Sequence, residues 1–352
     1  MDCRSLIDKL AVEKSLRRDE WIALWSSYSP EDRIYAAELA CNIAKKYFGN
    51  NIYIRGIVEF SNYCANDCFY CGIRKSNSKV QRYTLDDEII LDCCALGYSS
   101  NIRTFVLQSG ERAGFDLERI CALLGNIKER FPDSAVTLSL GELSKNEYAL
   151  LRQAGADRYL LRHESANETH YRKMHPPYMS LAHRKECLYT LKELGYQVGC
   201  GIMTGSPFQS SETLADDMLF MKDLQPEMVG IGPFIPHKDT PFGKYPGGTV
   251  ENTLMALSLC RIMLENVLLP ATTALGTLQS DGREQGILAG ANVIMPNLTP
   301  ADVQNNYLLY NNKKRADALP VEEMVEEWRK RLAVIGYKIH TGRGDFGENI
   351  LC

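Results

Sequence analysis

The chain has 352 residues, and 40 lysines and arginines against 44 aspartates and glutamates give it a net charge of −4. This near balance of charge argues against a nucleic-acid-binding protein and against a protein held at a membrane surface. With 45% hydrophobic and 24% charged residues, the composition is that of a folded globular protein and excludes a disordered chain.

The first residues of the chain lack the apolar segment of a secretory signal peptide, and no apolar run approaches the roughly 18 residues of a membrane span. We therefore expect a cytoplasmic protein, in which most of the 12 cysteines act as small buried hydrophobic residues.

In the first 49 residues, apolar side chains recur at helical spacing, and Ser29 with Pro30 is typical of a helix start. Residues 1–49 are predicted to form a helical cap that ends at Gly49.

From residue 50 onward, short segments rich in β-branched residues alternate with amphipathic ones. Strands are predicted at 52–60, 104–108, 135–140, 158–162, 197–203, 228–232, 269–273 and 292–295. Helices are predicted at 84–97, 114–130, 144–154, 180–194, 211–224, 250–266 and 280–289, with a last one near 321–335.

This alternation predicts an α/β fold, because strands that alternate with helices over about 250 residues match a (β/α)₈ barrel of the TIM type. A doubly wound open sheet is the alternative, but it requires a topological switch point that the sequence does not show. We expect the barrel at 50–300 and a helical C-terminal extension, packed on the barrel, at 301–352.

Three cysteines, Cys64, Cys68 and Cys71, lie directly after the first predicted strand. That loop belongs to the mouth of a barrel where active sites are found. No fourth cysteine or histidine is near, whereas structural zinc sites are closed by four protein ligands. Three thiolates with one open position suit a 4Fe–4S cluster with one free iron. A structural metal site and a chance grouping are the alternatives.

The C-x₃-C-x₂-C spacing resembles that of radical S-adenosylmethionine (SAM) enzymes. The resemblance implies that SAM binds the open iron through its amino and carboxylate groups. It also implies that an electron from the cluster cleaves SAM to methionine and a 5′-deoxyadenosyl radical. A closed barrel would keep such a radical away from water, while the cofactor performs the difficult chemical step.

Polar residues follow several predicted strands. Arg158, Arg162 and Glu164 share one face of the fourth strand, although parallel strands are usually apolar on both faces. This indicates a charged lumen, with salt bridges at the strand ends as the alternative. Hydroxyl groups that could complete an anion site with the arginines belong to Thr137, Ser139, Thr272 and Thr273.

Two further strand ends carry candidate cofactor contacts. After the second strand, Gln108 is followed by Gly110 and Glu111, where a glycine lets a ligand approach the backbone, although a plain βα turn explains it equally well. Met203, at the end of the fifth strand, could contact an adenine ring or belong to the core.

Several longer segments together resemble the HydE-type maturases of FeFe-hydrogenase over nearly the whole chain. They are 57–62, the cysteine loop, 106–111, 137–142, 154–164, 191–196, 229–237, 270–273 and 290–297. The resemblance implies an enzyme that assembles the di-iron subcluster of the hydrogenase active site, the H-cluster. The implied substrate is a low-spin iron carrying cysteine, CO and cyanide, whose cysteine sulfur is attacked by the deoxyadenosyl radical.

The same resemblance implies partners. They are a HydG-type maturase that hands over the iron complex, a HydF-type maturase, and a low-potential electron donor, with no nucleic acid and no membrane. Radical SAM enzymes with another small substrate, which insert sulfur like biotin synthase or rearrange an amino acid like methylornithine synthase, are the alternative.

The resemblance also assigns site residues, and no catalytic residue beyond them is identified. The cluster ligands are Cys64, Cys68 and Cys71. The residues expected at SAM are Gln108, Gly110, Glu111, Ser139, Glu164, Arg184, Met203 and Tyr307. Those expected at the substrate are Thr137, Arg158, Arg162, Thr272, Thr273 and Met295. Some family members carry a second cysteine triad after the barrel, but residues 311–320 contain no cysteine, so we predict no second cluster.

Overall fold

The computed structural model describes residues 2–111, 115–313 and 319–347. It begins with three helices, α1 (Cys3–Glu13), α2 (Arg18–Ser27) and α3 (Pro30–Phe48). At the start of α3, the Ser29 hydroxyl accepts a hydrogen bond from the Asp32 amide, and the Asp32 carboxylate accepts one from the Ser29 amide. The helical prediction for this part of the chain is confirmed.

Strands and helices then alternate along the chain. The elements up to residue 263 are β1 (Asn51–Ile54), β2 (Gly56–Ser61), α4 (Asp87–Ser99), β3 (Thr104–Ser109), α5 (Leu117–Arg130), β4 (Ala135–Ser139), α6 (Lys145–Gln153), β5 (Arg158–Leu160), α7 (Glu168–Met174), α8 (Leu181–Glu193), β6 (Gln197–Thr204), α9 (Ser211–Leu224), β7 (Met228–Pro233) and α10 (Val250–Met263). The later ones are α11 (Thr273–Leu278), α12 (Gly282–Leu288), β8 (Val293–Ile294), α13 (Ala301–Gln304), α14 (Val321–Val334) and β9 (Lys338–His340). In the described parts of the chain, none of the helices combines the length and apolar character needed to cross a bilayer.

The strands form one parallel ring. β2 to β7 make a six-stranded sheet in chain order, and β1 lies between β8 and β9. Single bridges between Met228 and Leu268, and between Pro270 and Val293, lead from β7 to β8, and a bridge between Ile57 and Asn297 leads back to β2. The α/β barrel-type fold predicted from the sequence is confirmed.

The structure differs from the predicted elements in two strands. The first predicted strand is interrupted at Arg55, where pairing changes from β8 and β9 to β3. The predicted strand 269–273 is reduced to a bridge at Pro270, and Thr273 begins α11. Proline has no N–H for a ladder hydrogen bond, which limits regular pairing at this point.

Strand register arranges the polar side chains of the lumen in layers. Gln108 is in register with Glu59 on one side and with Ser139 on the other, near the carboxyl ends of the strands. Thr137 is in register with Arg158, one layer closer to the amino ends. Because residues in register on parallel strands point to the same face, the lumen has separate polar layers at its two ends.

The segment from β9 to residue 347 covers the amino-terminal mouth of the barrel, which we call the lower mouth. The fully buried Arg158 guanidinium donates hydrogen bonds there to the Arg343 carbonyl at 2.9 Å, to Asp345 Oδ1 at 2.7 Å and to Thr104 Oγ1 at 3.0 Å. Gly344 has φ +61°, and a Cβ on it would lie 2.5 Å from the Tyr53 ring. Only a glycine therefore lets the tail approach this closely.

Candidate functional site

The loop that carries Cys64, Cys68 and Cys71 follows β2 at the opposite, upper mouth of the barrel. Three other segments hold its backbone. The Ala65 amide donates to the Glu111 carbonyl at 2.8 Å, the Phe69 amide to the Met174 carbonyl at 2.9 Å, and the Gly72 amide to the Leu309 carbonyl at 2.9 Å. The loop is therefore fixed by the ends of β3 and α7 and by the segment after α13.

The three thiols are near enough to influence one another. Burial raises the pKa of Cys64. Burial together with the charge of neighbouring thiols raises the pKa of Cys68 well above its ordinary value and that of Cys71 to about 12. Within the described ranges, no three His, Cys, Asp or Glu side chains converge on a single metal ion. Three cysteines on one loop fit the ligand set of a 4Fe–4S cluster, whose positively charged core would favour thiolates.

Gly110 packs directly against the cysteine loop. A Cβ on this residue would lie 2.1 Å from the Tyr63 carbonyl oxygen and 2.8 Å from the Cys64 Cβ. The next amide, that of Glu111, donates to the Cys64 sulfur at 3.4 Å. The sequence suggested that a glycine here admits a ligand to the backbone, whereas in the structure the approaching group is the chain's own cysteine loop.

A cavity of about 190 Å³ lies beside the cysteine loop and collects residues from three of the predicted sets. Its lining includes Cys71 of the cluster set, Glu164 and Met203 of the SAM set, and Arg162, Thr272 and Thr273 of the substrate set. Much of the remaining wall is formed by Tyr70, Gly232, Phe234, Leu309 and Tyr310. The structure thus brings some residues of each predicted set, those of the cluster, of SAM and of the substrate, to one chamber.

Polar atoms around this chamber lack hydrogen-bond partners among the described residues. These atoms are Arg162 Nε and Thr272 Oγ1. Arg162 Nη2 lies 3.1 Å from Glu164 Oε2 as an ion pair. Buried donors that the protein leaves unpaired are costly unless a ligand satisfies them. A guanidinium and hydroxyl groups in such a place suit an anionic ligand.

Glu164 sits in a strained turn. Its φ is +59°, and the Ser165 amide donates to the His163 carbonyl at 2.7 Å, which closes a three-residue turn around it. Burial raises the pKa of Glu164, against the opposing charge of Arg162. The strain aims the carboxylate into the chamber, and strain of this kind is characteristic of functional sites.

A buried pair behind this turn holds it in place. His163 Nδ1 accepts a hydrogen bond from the Gly201 amide at 3.3 Å, and His163 Nε2 lies 3.7 Å from Asp217 Oδ1. Asp217, on α9, also accepts a hydrogen bond from the Ala166 amide at 2.5 Å. Sequence reasoning did not identify Asp217, because only the fold brings α9 against the end of β5.

The other residues predicted at SAM are distributed around the same mouth. Arg184 contacts Glu111 Oε2 at 3.3 Å and Glu142 Oε1 at 2.7 Å. Ser139 lies opposite Gln108 in the sheet. Burial raises the pKa of Tyr307 well above its ordinary value; the charges of Glu59 and Cys71 raise it as well, and Gln108 lowers it. Tyr307 comes from the segment after α13, so only the fold places it here.

Three of the residues predicted at the substrate lie outside the chamber. Met295 lines a second cavity of about 470 Å³ with Ile57, Glu59 and Lys313, and Thr273 lines both cavities. Thr137 is buried one layer lower, and its hydroxyl has no hydrogen-bond partner among the described residues. The prediction for Arg158 is corrected, because its guanidinium is bonded to the tail at the lower mouth.

The hydroxyl of Tyr70, which precedes Cys71, also has a defined partner that the sequence did not reveal. It lies 3.0 Å from His175 Nε2, and His175 Nδ1 lies 2.9 Å from the Tyr171 carbonyl. A carbonyl only accepts, so Nδ1 carries the proton and Tyr70 donates to Nε2. Burial lowers the pKa of His175 to about 3, which keeps this ring neutral.

Comparison with known proteins agrees with this arrangement. Residues 58–221 match the family model of the Radical SAM superfamily. The chain is 46% identical over 316 residues to the FeFe hydrogenase maturase subunit HydE of Thermotoga maritima, with 89% of each protein covered. It is 26% identical over 297 residues to a 3-methylornithine synthase of Methanosarcina acetivorans, with 84% of this chain and 83% of that protein covered. A crystal structure of methylornithine synthase, 26% identical, matches with a TM-score of 0.81 over 95% of this chain and 97% of that one.

Proposed function

This chain belongs to the HydE family of hydrogenase maturases within the radical SAM superfamily, and from that membership we propose that it helps to build the di-iron subcluster of the FeFe-hydrogenase active site. The proposed substrate is a small iron complex carrying cysteine, CO and cyanide. The observation that carries the proposal is the chamber in which Cys71, Glu164, Arg162 and Thr272 meet.

The residues present fit the cofactors that the family implies. Cys64, Cys68 and Cys71 would hold a 4Fe–4S cluster from one loop and leave one iron without a protein ligand. Bound with SAM, this cluster supplies the electron that splits SAM into methionine and a 5′-deoxyadenosyl radical. The protein itself would position the reactants and exclude water from them.

For SAM, we propose that Glu164, Met203, Ser139, Gln108, Tyr307 and the Arg184–Glu111 pair provide the binding groups. Gly110 would contribute indirectly, since it admits the cysteine loop. Glu164 is turned into the chamber by its strained backbone and can accept hydrogen bonds from ligand hydroxyls. Arg184 is buried between Glu111 and Glu142 and fixes the position of Glu111 beside the cysteine loop.

For the substrate, we propose that Arg162, Thr272 and Thr273 hold a carboxylate or cyanide group. Arg162 presents its Nε N–H, which has no hydrogen-bond partner among the described residues, and Thr272 presents a hydroxyl in the same state. Thr137 and Met295 would extend this contact deeper into the lumen. The deoxyadenosyl radical would then react with the cysteine sulfur of the bound complex.

The proposed function also requires protein partners. We propose that a HydG-type maturase supplies the iron complex, that a HydF-type maturase receives the product, and that a low-potential donor reduces the cluster. We also propose a single cluster per chain, since residues 311–320 contain no cysteine. Part of that segment, residues 314–318, lies outside the described residues, so this proposal depends on the sequence alone.

The decisive experiment is activation of apo-hydrogenase in a defined anaerobic mixture of maturases with and without this protein. We expect activation only in its presence, together with release of 5′-deoxyadenosine. Activation that is equal without the protein would contradict the proposal, provided that the protein carries its full complement of iron and sulfide.

A second candidate function is the rearrangement of an amino acid, favoured by the match to methylornithine synthase over 95% of the chain. Barrels of one fold host many reactions, so the fold alone does not separate the two. Formation of 3-methylornithine from candidate amino acids, with no effect on hydrogenase activation, would favour this second function.

A further inference from the structure

A chain of aromatic rings connects the cysteine loop with the protein surface. Phe69, between Cys68 and Cys71, packs edge to face against Phe242 with ring centroids 6.0 Å apart. Phe242 contacts Phe208 at 6.1 Å and Tyr245 at 5.2 Å. Phe208 is 48% exposed and Tyr245 is 39% exposed, whereas Phe242 is buried. Two ring contacts therefore connect each of the exposed rings, Phe208 and Tyr245, with Phe69 in the loop.

The backbone joins the same elements firmly. The Phe242 amide donates to the Phe69 carbonyl at 3.1 Å. A Cβ on Gly72 would lie 2.5 Å from the His237 ring, so the loop after β7 also rests directly on the residue that follows Cys71. Phe208 has φ +67°, a backbone conformation that bulky residues rarely adopt. The exposed rings are thus held in place beside the cysteine loop.

The surface around these rings is basic. Lys173 lies over the Phe208 ring, with Nζ 5.0 Å from its centroid, and Lys238 and Lys244 are exposed on the loop that carries Phe242 and Tyr245. No salt bridge between described residues involves any of these three lysines. Nearby carboxylates are already paired, since Asp239 binds Lys79 at 2.6 Å and Glu168 binds Arg172 at 2.7 Å.

We propose that Phe208 and Tyr245, with Lys173, Lys238 and Lys244 around them, form the docking surface for a small acidic electron-carrier protein. An apolar centre with a charged rim is the usual composition of a transient protein interface, and opposite charge speeds the encounter. The inference rests on the proposed function, because only a redox-active cluster in the cysteine loop requires such a partner.

The carrier would lose one electron, and an oxidised cluster held by the loop beside Phe69 would gain it. The reduced cluster would supply this electron for cleavage of a sulfur–carbon bond of SAM to methionine and the 5′-deoxyadenosyl radical, so no further reactant is needed. The short route through Phe242 matters because electron transfer slows steeply with distance.

The test uses the full-length protein loaded with iron and sulfide and an acidic 4Fe–4S ferredoxin as the probe. Affinity is measured by titration calorimetry with the oxidised ferredoxin, at low salt and at about 0.5 M salt, where surface charges are screened. We expect Lys173→Glu/Lys244→Glu to weaken binding about 10-fold or more at low salt and much less at high salt. Phe208→Asn, which tolerates the positive φ, should weaken binding at both salt concentrations.

The matched control is Lys330→Glu/Lys338→Glu, which reverses two exposed charges on α14 and β9 and should leave the affinity unchanged. SAM cleavage is measured in parallel with ferredoxin and with dithionite, a small reductant that needs no docking surface. Loss of the ferredoxin-driven reaction alone supports the inference. Equal affinity in both double variants would overturn it. Absence of dithionite-driven cleavage in the unaltered protein would instead overturn the proposed function.

Discussion

The two mouths of the barrel use the same residue type in opposite ways. Arg158 and Arg162 lie on the same side of the fourth barrel strand. At the lower mouth, every nitrogen of Arg158 donates to Gln197, Thr104, the Arg343 carbonyl or Asp345. At the upper mouth, Arg162 Nη2 makes an ion pair with Glu164, but Arg162 Nε lacks a hydrogen bond among the described residues.

This difference separates stability from function. A guanidinium whose three nitrogens all donate to protein groups contributes to the stability of the fold and has little left for a ligand. Unpaired buried donors and the strained turn at Glu164 lower stability, and they are retained where a ligand can satisfy them. We therefore expect changes at the upper mouth to affect chemistry, and changes at the lower mouth to affect folding.

The largest expected effect is that of Cys68→Ser at the upper mouth. A three-ligand cluster cannot easily lose one thiolate, so we expect SAM cleavage to fall below detection by chromatography of 5′-deoxyadenosine. Cys121→Ser is the control, because Cys121 lies on α5 outside the loop and should keep full activity. Full activity in Cys68→Ser would rule out the cluster assignment.

Two variants, Arg162→Leu and Arg158→Leu, test whether the upper mouth affects chemistry and the lower mouth affects folding. Arg162→Leu should keep the cluster yet raise the KM for the iron complex about 30-fold, since it removes charge-assisted hydrogen bonds of about 2 kcal/mol. Arg158→Leu should leave this KM nearly unchanged but lower the free energy of unfolding by about 3 kcal/mol, because Asp345 loses its buried partner.

Steady-state kinetics and anaerobic urea unfolding of both variants provide the two measurements. If Arg158→Leu raises the KM as much as Arg162→Leu does, the division of roles between the mouths is wrong.

A smaller effect is expected from the pH dependence of the lower mouth. Burial alone would raise the pKa of Asp345, but hydrogen bonds from Arg343 and the charges of Arg158 and Arg343 lower it to about 2. A carboxyl with a lowered pKa stabilises the fold above its unfolded value of 3.8 and loses this contribution as the pH falls towards 2. The wild type should lose at most about 2 kcal/mol in this range through Asp345.

Asp345→Asn removes this titrating group. Urea unfolding of both apo-proteins between neutral and acid pH measures the difference. We expect the variant to be less stable at neutral pH and the gap to narrow in acid. A constant gap would mean that the ion pair with Arg158 contributes nothing.

The smallest expected effect concerns the pair behind Glu164. Asp217→Asn keeps the shape of the side chain but weakens its contacts with His163 and with the Ala166 amide. We expect the KM for SAM to rise several-fold with little change in kcat, because Glu164 is then aimed less well. Glu212→Gln, at an exposed position near the start of α9, is the control. An unchanged KM for SAM would show that the turn holds without Asp217.

The sequence by itself determined the class of protein and its chemistry. The alternation of strands and helices predicts the barrel, because side-chain periodicity follows directly from backbone geometry. The cysteine loop could be identified because its three ligands are close together in the chain, so no folding is needed to relate them. Arg162 and Glu164 were likewise recognised as neighbours on one strand face.

The tertiary structure decided which polar residues meet. Nothing in the sequence distinguishes Arg158 from Arg162, and the partner that occupies Arg158, Asp345, lies in the C-terminal tail. Other contacts at the upper mouth also join distant parts of the chain. Examples are those of Tyr307, those of Asp217 and those between the aromatic rings of Phe69, Phe242 and Phe208. Their contacts depend on how the barrel closes and how its loops and tail pack, and periodicity along a chain carries no information about such contacts.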